Sequence, residues 1–183
     1  MTFANPYLDV WSVIASGVLC LVFVRALLHK LEGYAEFKAT LGDYRLLPAA
    51  LLPGAAAAVV GAESLAALLL IIPATREAGA MLGALLLGVY GLGIAVNLAR
   101  GRNSIDCGCG GGGQGISLVH VLRNGLLMLL AVPVLTIEVR HPSGWLVSLA
   151  TCGCVLVLWL MVVIFDQLLG NRSHAIATTY SGL

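Results

Sequence analysis

The chain has 183 residues, of which 60% are hydrophobic and only 10% are charged. A soluble globular domain usually carries about 25% charged residues, so lipid must solvate much of this protein's surface. The formal net charge is +1. This near-neutral balance argues against nucleic-acid binding, which would need a basic patch or stripe. The composition therefore predicts an integral membrane protein.

Five apolar stretches meet or nearly meet the roughly 20 residues that a membrane-spanning helix needs. They are residues 9–28, 51–72, 78–98, 117–137 and 144–168. A helix satisfies its backbone hydrogen bonds within one segment, which lipid requires. We therefore predict an all-α bundle of about five transmembrane helices forming a single domain, 1–183. No Lys or Arg precedes Arg25, so we expect the first helix to be retained rather than cleaved as a signal peptide.

Two spacing patterns refine this prediction. An amphipathic pattern between the first two spans predicts a short interfacial helix; it consists of Leu31, Tyr34, Phe37 and Leu41. Small residues recur every four positions in the second and third spans, which favours close helix packing within the bundle over a dimer motif; they are Gly54, Ala58, Ala62, Gly79, Gly83, Ala84 and Gly88.

Cys107 and Cys109 lie in a glycine-rich loop, residues 100–116, with the sequence I-D-C-G-C-G-G-G-G-Q-G. With one residue between them, they can form a disulfide only in a small bent ring, which makes the bond easier to reduce. Arg100 and Arg102 nearby would favour a thiolate. We interpret the two cysteines as a redox pair; the alternatives are two soft metal ligands or two inert residues. No further ligands follow at the usual spacing, so we predict no metal site.

The remaining cysteines are interpreted differently. Five cysteines in total, an odd number, exclude a fully paired disulfide scaffold within one chain. Cys152 and Cys154 lie inside the fifth span, where residues two apart point about 200° away from each other. We therefore interpret them as apolar filler, like Cys20. A relay between the two cysteine pairs is the alternative.

Glu63 lies near the middle of the second span and Arg123 lies within the fourth. An ionised group in hydrocarbon costs at least about 2.5 kcal/mol unless it is paired. We therefore predict that Glu63 and Arg123 approach each other, assisted by Asn124 or Arg25. The functional alternative is a polar pocket beneath the cysteine loop that handles protons or a quinone head group. Two histidines on this side could transfer protons or merely be solvated there; they are His29 and His120.

The distribution of Lys and Arg favours a cytoplasmic cysteine loop by the positive-inside rule. Seven cations lie on its side of the membrane: Arg25, Lys30, Lys38, Arg45, Arg100, Arg102 and Arg172. Two lie on the other side: Arg76 and Arg140. Retention of Arg25 and Lys30 inside the bundle would weaken this count.

The order of several short motifs resembles the MauE family of methylamine utilization proteins, which belongs with the DoxX-like membrane proteins. The motifs are R-A-L-L-H-K-L-E at 25–32, Y-R-L-L-P ending at Pro48, Glu63, I-D-C-G-C-G-G, and R-N at 123–124. The resemblance covers the chain to about Leu135 and implies a four-helix DoxX-like core plus a C-terminal helix. This chain departs at Gly110, where a bulky aromatic residue often follows the second cysteine.

The resemblance implies a multi-pass protein of the bacterial cytoplasmic (inner) membrane, needed for maturation of the periplasmic methylamine dehydrogenase small (beta) subunit. It implies two partners, a thioredoxin-like MauD-type protein and that subunit. Cys107 and Cys109 would be the redox pair, above a polar core of Arg25, Lys30, Glu63, Arg123 and Asn124. Periplasmic partners disagree with the cytoplasmic loop that the charge count favours.

Three functions follow as hypotheses. The first is thiol–disulfide exchange that supports disulfide formation in the small subunit, which would make the protein an oxidoreductase. The second is a non-catalytic membrane chaperone or transport factor for that subunit. The third is a carrier of a small molecule or metal that uses the polar pocket. We assign no cofactor from the sequence; a quinone is a candidate.

Overall fold

In the computed structural model, residues 6–102, 105, 115–136 and 144–181 are described, with side chains described from residue 9 to residue 168. The predicted redox pair Cys107 and Cys109 lies outside the described residues, as do Arg140 and the side chain of Arg172. The loop that carries the pair is described as far as Arg102, at Ile105, and again from Gly115.

The described residues form six α-helices. They are α1 (Pro6–Glu32), α2 (Tyr34–Asp43), α3 (Leu52–Ile71), α4 (Arg76–Ala99), α5 (Leu118–Thr136) and α6 (Trp145–Ser181). All except α2 are long and apolar enough to cross a membrane, which confirms the prediction of five spans. The short helix predicted between the first two spans is α2. No β-strand occurs in the described ranges.

Two helices are longer than the apolar stretches that predicted them. Helix α1 continues past residue 28 to Glu32, because residues 29–32 contain neither Gly nor Pro and the next glycine is Gly33. Helix α6 continues past residue 168 to Ser181. The polar residues that follow the apolar stretch end a membrane span, but they do not by themselves end a helix.

Four helices form a closed ring in which α1 contacts α3, α3 contacts α4, α4 contacts α5, and α5 contacts α1. Helix α6 packs against α1. The core of the ring is apolar and includes Val18, Leu19, Phe23, Leu70, Leu87 and Leu127. Large apolar side chains such as Leu85, Leu92 and Leu126 point outward instead. This surface suits lipid, and the arrangement confirms a four-helix core with an additional C-terminal helix.

Close packing at small residues is confirmed in α4 but not in the first half of α3. A Cβ atom on Gly79 would lie 2.8 Å from the backbone nitrogen of Leu70, and one on Gly83 would lie 2.7 Å from the Phe23 ring. These two glycines therefore let α4 approach α3 and α1. Gly54 has no atom within 4 Å of its Cβ position, and Ala58 is exposed, so the prediction is wrong there.

We predict that Gly79→Ala destabilises the bundle by about 1–3 kcal/mol, because the added methyl group meets the rigid backbone of α3 rather than a flexible side chain. The matched control is Gly61→Ala, because nothing lies within 4 Å of that Cβ position. The control should be neutral or slightly stabilising. Thermal unfolding in detergent measures both; equal midpoints for the two variants would contradict the close approach of α3 and α4.

Candidate functional site

A buried ion pair connects α1 to α3 in the interior of the bundle. Lys30 Nζ donates a hydrogen bond of 2.8 Å to Glu63 Oε1, and the two side chains are only 4% and 0% exposed. The Tyr90 hydroxyl of α4 donates to the same carboxylate oxygen, also at 2.8 Å. The Lys30 ammonium also lies 5.2 Å from the Phe37 ring centroid in α2. One cluster thus joins the first four helices.

This pair exists because α1 stays helical beyond its apolar stretch. Lys30 lies in the last turn of α1, where a cation also interacts favourably with the helix dipole. Glu63 lies among small residues of α3, which leave room for the long lysine side chain. Removing either partner would leave an uncompensated charge buried in the bundle. The pair therefore fixes the position of α1 against α3.

A second charged cluster holds α6 against the ring. Arg25 Nη1 lies 2.8 Å from Asp166 Oδ2, and Arg123 Nη2 donates to the same oxygen at 2.8 Å. Arg123 Nε lies 2.6 Å from Asp166 Oδ1. Two nitrogens of the arginine therefore each contact one oxygen of the carboxylate, in a bidentate arrangement. This arrangement joins α1, α5 and α6. Two arginines share one carboxylate, so the second cluster has one excess positive charge.

The predicted pairing of Glu63 with Arg123 is wrong, because each residue pairs with a different partner. The apolar stretch at 9–28 placed Lys30 outside the first helix, and α1 instead carries it into the core. Asp166 is the partner of Arg123 that sequence reasoning missed. It is the one acidic residue in the apolar stretch 144–168, and the rule that intramembrane charges must be paired would have identified it.

Glu63 and Arg123 nevertheless line one small cavity together with Asn124, as the predicted polar pocket requires. Its volume is about 30 Å³. Several buried polar atoms at this cavity have no hydrogen-bond partner among the described residues: Glu63 Oε2, both amide atoms of Asn124, and Trp159 Nε1. Since a water molecule needs about 10–15 Å³, one or two waters fit here. A quinone ring does not.

The base of the cysteine loop is fixed by a separate set of contacts. Ile116 donates a backbone hydrogen bond of 2.9 Å to Ile105, and both side chains are buried against Ile94. Beside them, Asn97 is fully buried; its Nδ2 donates to the Gly93 carbonyl, and its Oδ1 accepts a 3.2 Å bond from Arg102. These contacts join the two ends of the segment that contains Cys107 and Cys109.

Sequence reasoning missed Asn97 and the two isoleucines. Asn97 is a polar residue close to the end of an apolar stretch, where it could equally have been solvated. Ile105 and Ile116 lie on either side of the glycine-rich segment, and two apolar residues in a loop of glycines and polar residues are a signal that the sequence contains.

The two histidines occupy different environments. His29 is exposed. His120 is buried, and its Nδ1 lies 2.8 Å from the Ser117 hydroxyl. The interpretation of His120 as a solvated residue is therefore wrong, because the first turn of α5 packs this ring against the bundle.

The described cysteines also differ from one another. Cys20 is buried and its Sγ lies 3.6 Å from the Ala67 carbonyl oxygen, which confirms its interpretation as core filler. Cys152 and Cys154 are exposed on α6, so they fill no core and that interpretation is wrong for them. Within the described residues, no three His, Cys, Asp or Glu side chains are grouped to hold a metal ion.

Comparison with known proteins identifies the family. The model of the methylamine utilisation protein MauE family matches residues 8–138. The chain belongs to the MauE family. The matched range begins in the first turn of α1, contains α2 to α5 and the cysteine loop, and ends before α6 and Asp166. Membership supports a role in methylamine utilization for this membrane protein.

Three MauE proteins illustrate the similarity. The chain is 40% identical to that of Paracoccus versutus over 145 residues, which covers 76% of this chain and 78% of the relative. It is 36% identical to that of Paracoccus denitrificans, with 64% of each chain covered. It is 35% identical to that of Methylophilus methylotrophus, with 61% of this chain and 60% of the relative covered. No solved structure matches the chain.

The buried pair of this MauE-family protein gives a testable asymmetry. Lys30→Met or Glu63→Leu alone should destabilise the protein by about 3–5 kcal/mol, because each leaves one unpaired charge in the core. The double variant should recover most of this loss, because it removes both charges together. Unfolding of the four proteins in detergent measures the coupling. Additive losses would show that the two groups do not interact.

Proposed function

We propose that this protein carries out thiol–disulfide exchange through Cys107 and Cys109 in the bacterial inner membrane. Its direct partner is a thioredoxin-like protein of the MauD type, and the exchange supports disulfide formation in the methylamine dehydrogenase small subunit. The observation that carries the proposal is the anchored base of the cysteine loop, which joins Ile105 to Ile116 by a 2.9 Å backbone bond.

The anchored base supports exchange because it holds both ends of a short, glycine-rich segment at one end of the bundle. Both anchoring side chains are buried, at 6% and 3% exposure, so the ends of the segment are held by core packing. Four glycines in succession follow Cys109 and add no side chains that would cover its sulfur. This composition supports the approach of a partner's thiolate, which disulfide exchange requires.

The exchange conserves atoms and electrons. A thiolate of the partner attacks the Cys107–Cys109 disulfide, forming a mixed disulfide and releasing one cysteine as a thiolate. The second thiolate of the partner then attacks the mixed bond. The partner leaves oxidised, with a new disulfide, and Cys107 and Cys109 gain its two electrons and take up two protons as thiols. The reverse sequence is equally available, and the reduction potentials of the two pairs set the direction.

Nearby charges support the thiolate form. Arg100 is exposed at the end of α4, and the Arg102 side chain is oriented by its bond to Asn97 Oδ1. Cations near a cysteine favour its thiolate, which is the reactive species. The two ion-pair clusters act differently: they hold α1, α3, α5 and α6 in position beneath the loop.

Replacing Cys107 and Cys109 with serine should abolish maturation of the dehydrogenase small subunit, because serine cannot form or exchange a disulfide. The measurement is the amount of disulfide-bonded small subunit in cells. The matched control is the double change Cys152→Ser and Cys154→Ser, which alters a second Cys-Gly-Cys pair that is exposed on a helix. The control should mature the subunit normally.

The single variants identify the partner. With Cys109→Ser or Cys107→Ser, one cysteine lacks its resolving neighbour, so a mixed disulfide with the thioredoxin-like protein should accumulate and disappear on reduction. If the double variant Cys107→Ser and Cys109→Ser still matures the subunit normally, the protein does not act by thiol exchange. That outcome would leave a non-catalytic chaperone or transport factor for the same subunit as the explanation.

The accessibility of Cys107 to a thiol reagent tests which side of the membrane the cysteine loop faces. Of seven cations on the side of the cysteine loop, Arg25 and Lys30 are held in ion pairs, which leaves five against the two on the other side. Exchange that supports disulfide formation in a periplasmic subunit requires the opposite side, so a membrane-impermeant thiol reagent should label Cys107 in whole cells despite this bias. Labelling in broken cells is the control. Labelling in broken cells only would place the loop in the cytoplasm and contradict direct exchange with periplasmic partners.

A further inference from the structure

A second cavity lies between α2, α3 and α4, and it is much larger than the small polar one. Its volume is about 290 Å³. The lining is largely apolar, with Leu41, Leu47, Val59 and Ile94 among its residues. Lys30 and Tyr90 also line the small cavity. The buried ion-pair cluster therefore separates the two cavities, and only the larger one has room for an organic ligand.

At one end of the large cavity, the Lys30 ammonium can donate a hydrogen bond to a ligand. An ammonium group carries three N–H donors, and Glu63 accepts from Lys30 at 2.8 Å. The other described contacts of Lys30 Nζ are the faces of Phe37 and Tyr90, at 5.2 and 5.6 Å from the ring centroids. Such contacts are weaker than a charge-assisted hydrogen bond to an oxygen atom. A ligand with an acceptor oxygen would therefore gain a strong bond here.

The charge of the site selects against anions. Among the described residues, Lys30 is the only charged side chain that lines this cavity, and its charge is neutralised by its ion pair with Glu63. A carboxylate or phosphate would lose its hydration without meeting a net positive charge, which is unfavourable. The excess positive charge of the bundle lies instead at Asp166 and its two arginines. An uncharged head group is the better match.

The shape of the site favours a flat ring. Three aromatic side chains line the cavity, namely Phe37, Tyr44 and Tyr90. Aromatic faces pack well against planar rings. The volume of about 290 Å³ is close to the lower limit of roughly 300 Å³ for small-molecule sites. It therefore suits a substituted ring with a short part of a chain.

The cavity is also accessible from lipid. Three of its lining residues are exposed on the outer surface of the bundle: Leu46 at 45%, Leu47 at 40% and Val89 at 55%. Val89 belongs to α4, which is a membrane-spanning helix. An apolar chain could leave the cavity beside these residues without entering water.

We propose that this cavity binds an uncharged, lipid-soluble ring compound with a carbonyl acceptor, of the quinone class. The carbonyl accepts a hydrogen bond from Lys30, the ring lies between the aromatic side chains, and the chain extends past Val89 into lipid. The site is distinct from the small cavity that Glu63 and Arg123 line. The proposal concerns binding alone, so it does not depend on exchange at Cys107 and Cys109.

Binding of decylubiquinone to the full-length protein in lipid nanodiscs tests the proposal. We expect saturable binding, measured by equilibrium dialysis against empty nanodiscs. Gly93→Leu should weaken it at least about tenfold, because the new side chain enters the cavity. A Cβ atom there meets only ordinary contacts, at 3.6 Å from Leu46 and Tyr44. Gly61→Leu is the matched control, because its Cβ position on α3 is open, and it should bind normally.

Two further measurements keep the test decisive. Ala55→Leu fills the same cavity from α3, so it should also weaken binding even if Gly93→Leu fails to fold. The double variant Lys30→Met with Glu63→Leu should fold but bind about tenfold more weakly, because the donor to the carbonyl is lost.

Decanoate, with a carboxylate and a similar chain, should bind at least about tenfold more weakly than decylubiquinone. Tighter binding of decanoate would overturn the assignment of an uncharged ligand. Absence of saturable quinone binding, or an equal loss in Gly61→Leu and in the cavity variants, would overturn the site itself. The two proposals can fail separately. Normal maturation in the double cysteine variant with saturable quinone binding would overturn only thiol exchange. Loss of maturation in that variant without saturable quinone binding in the unmodified protein would overturn only the quinone site.

Discussion

Charges placed in hydrocarbon must be paired, and the rest of this structure depends on that constraint. Lys30 and Glu63 pair in the core of the ring, while Asp166 pairs with Arg25 and Arg123 at its edge. Dispersion packing alone would let apolar helices slide or rotate with little cost, since lipid solvates them equally well. The ion pairs remove that freedom, because any shift or rotation of a helix that separates the two charges leaves both without a partner.

The two clusters have different structural consequences. The Lys30–Glu63 pair, with the Tyr90 hydroxyl on the same oxygen, sets the interior of the four-helix ring and separates a small polar cavity from a larger apolar one. The Asp166 cluster attaches α6, which lies outside the residues that match the MauE family. Arg25 and Arg123 lie within the residues that match the family model, and Asp166 of α6, which pairs with both, lies outside them.

Above these clusters, the cysteine loop is closed by apolar contacts rather than by charges. Ile105 and Ile116 are buried at its base, and Asn97 orients Arg102 beside them. A loop with so many glycines loses much conformational entropy when it is ordered. Anchoring its ends limits that cost to the segment between them.

The amino-acid sequence by itself determined the membrane environment, the five spans and the short helix α2. Length and hydropathy are local properties of a segment, and the thickness and apolarity of the bilayer set the values that a span must have. It also determined that Glu63 and Arg123 must be neutralised and that Cys152 and Cys154 cannot pair within a helix. It did not determine which charges meet. Lys30 reaches Glu63 only because α1 continues beyond its apolar stretch, and Arg123 meets Asp166 only because α6 packs on α1. Such pairings depend on helix rotation and on contacts between residues far apart in sequence, which only the tertiary structure decides.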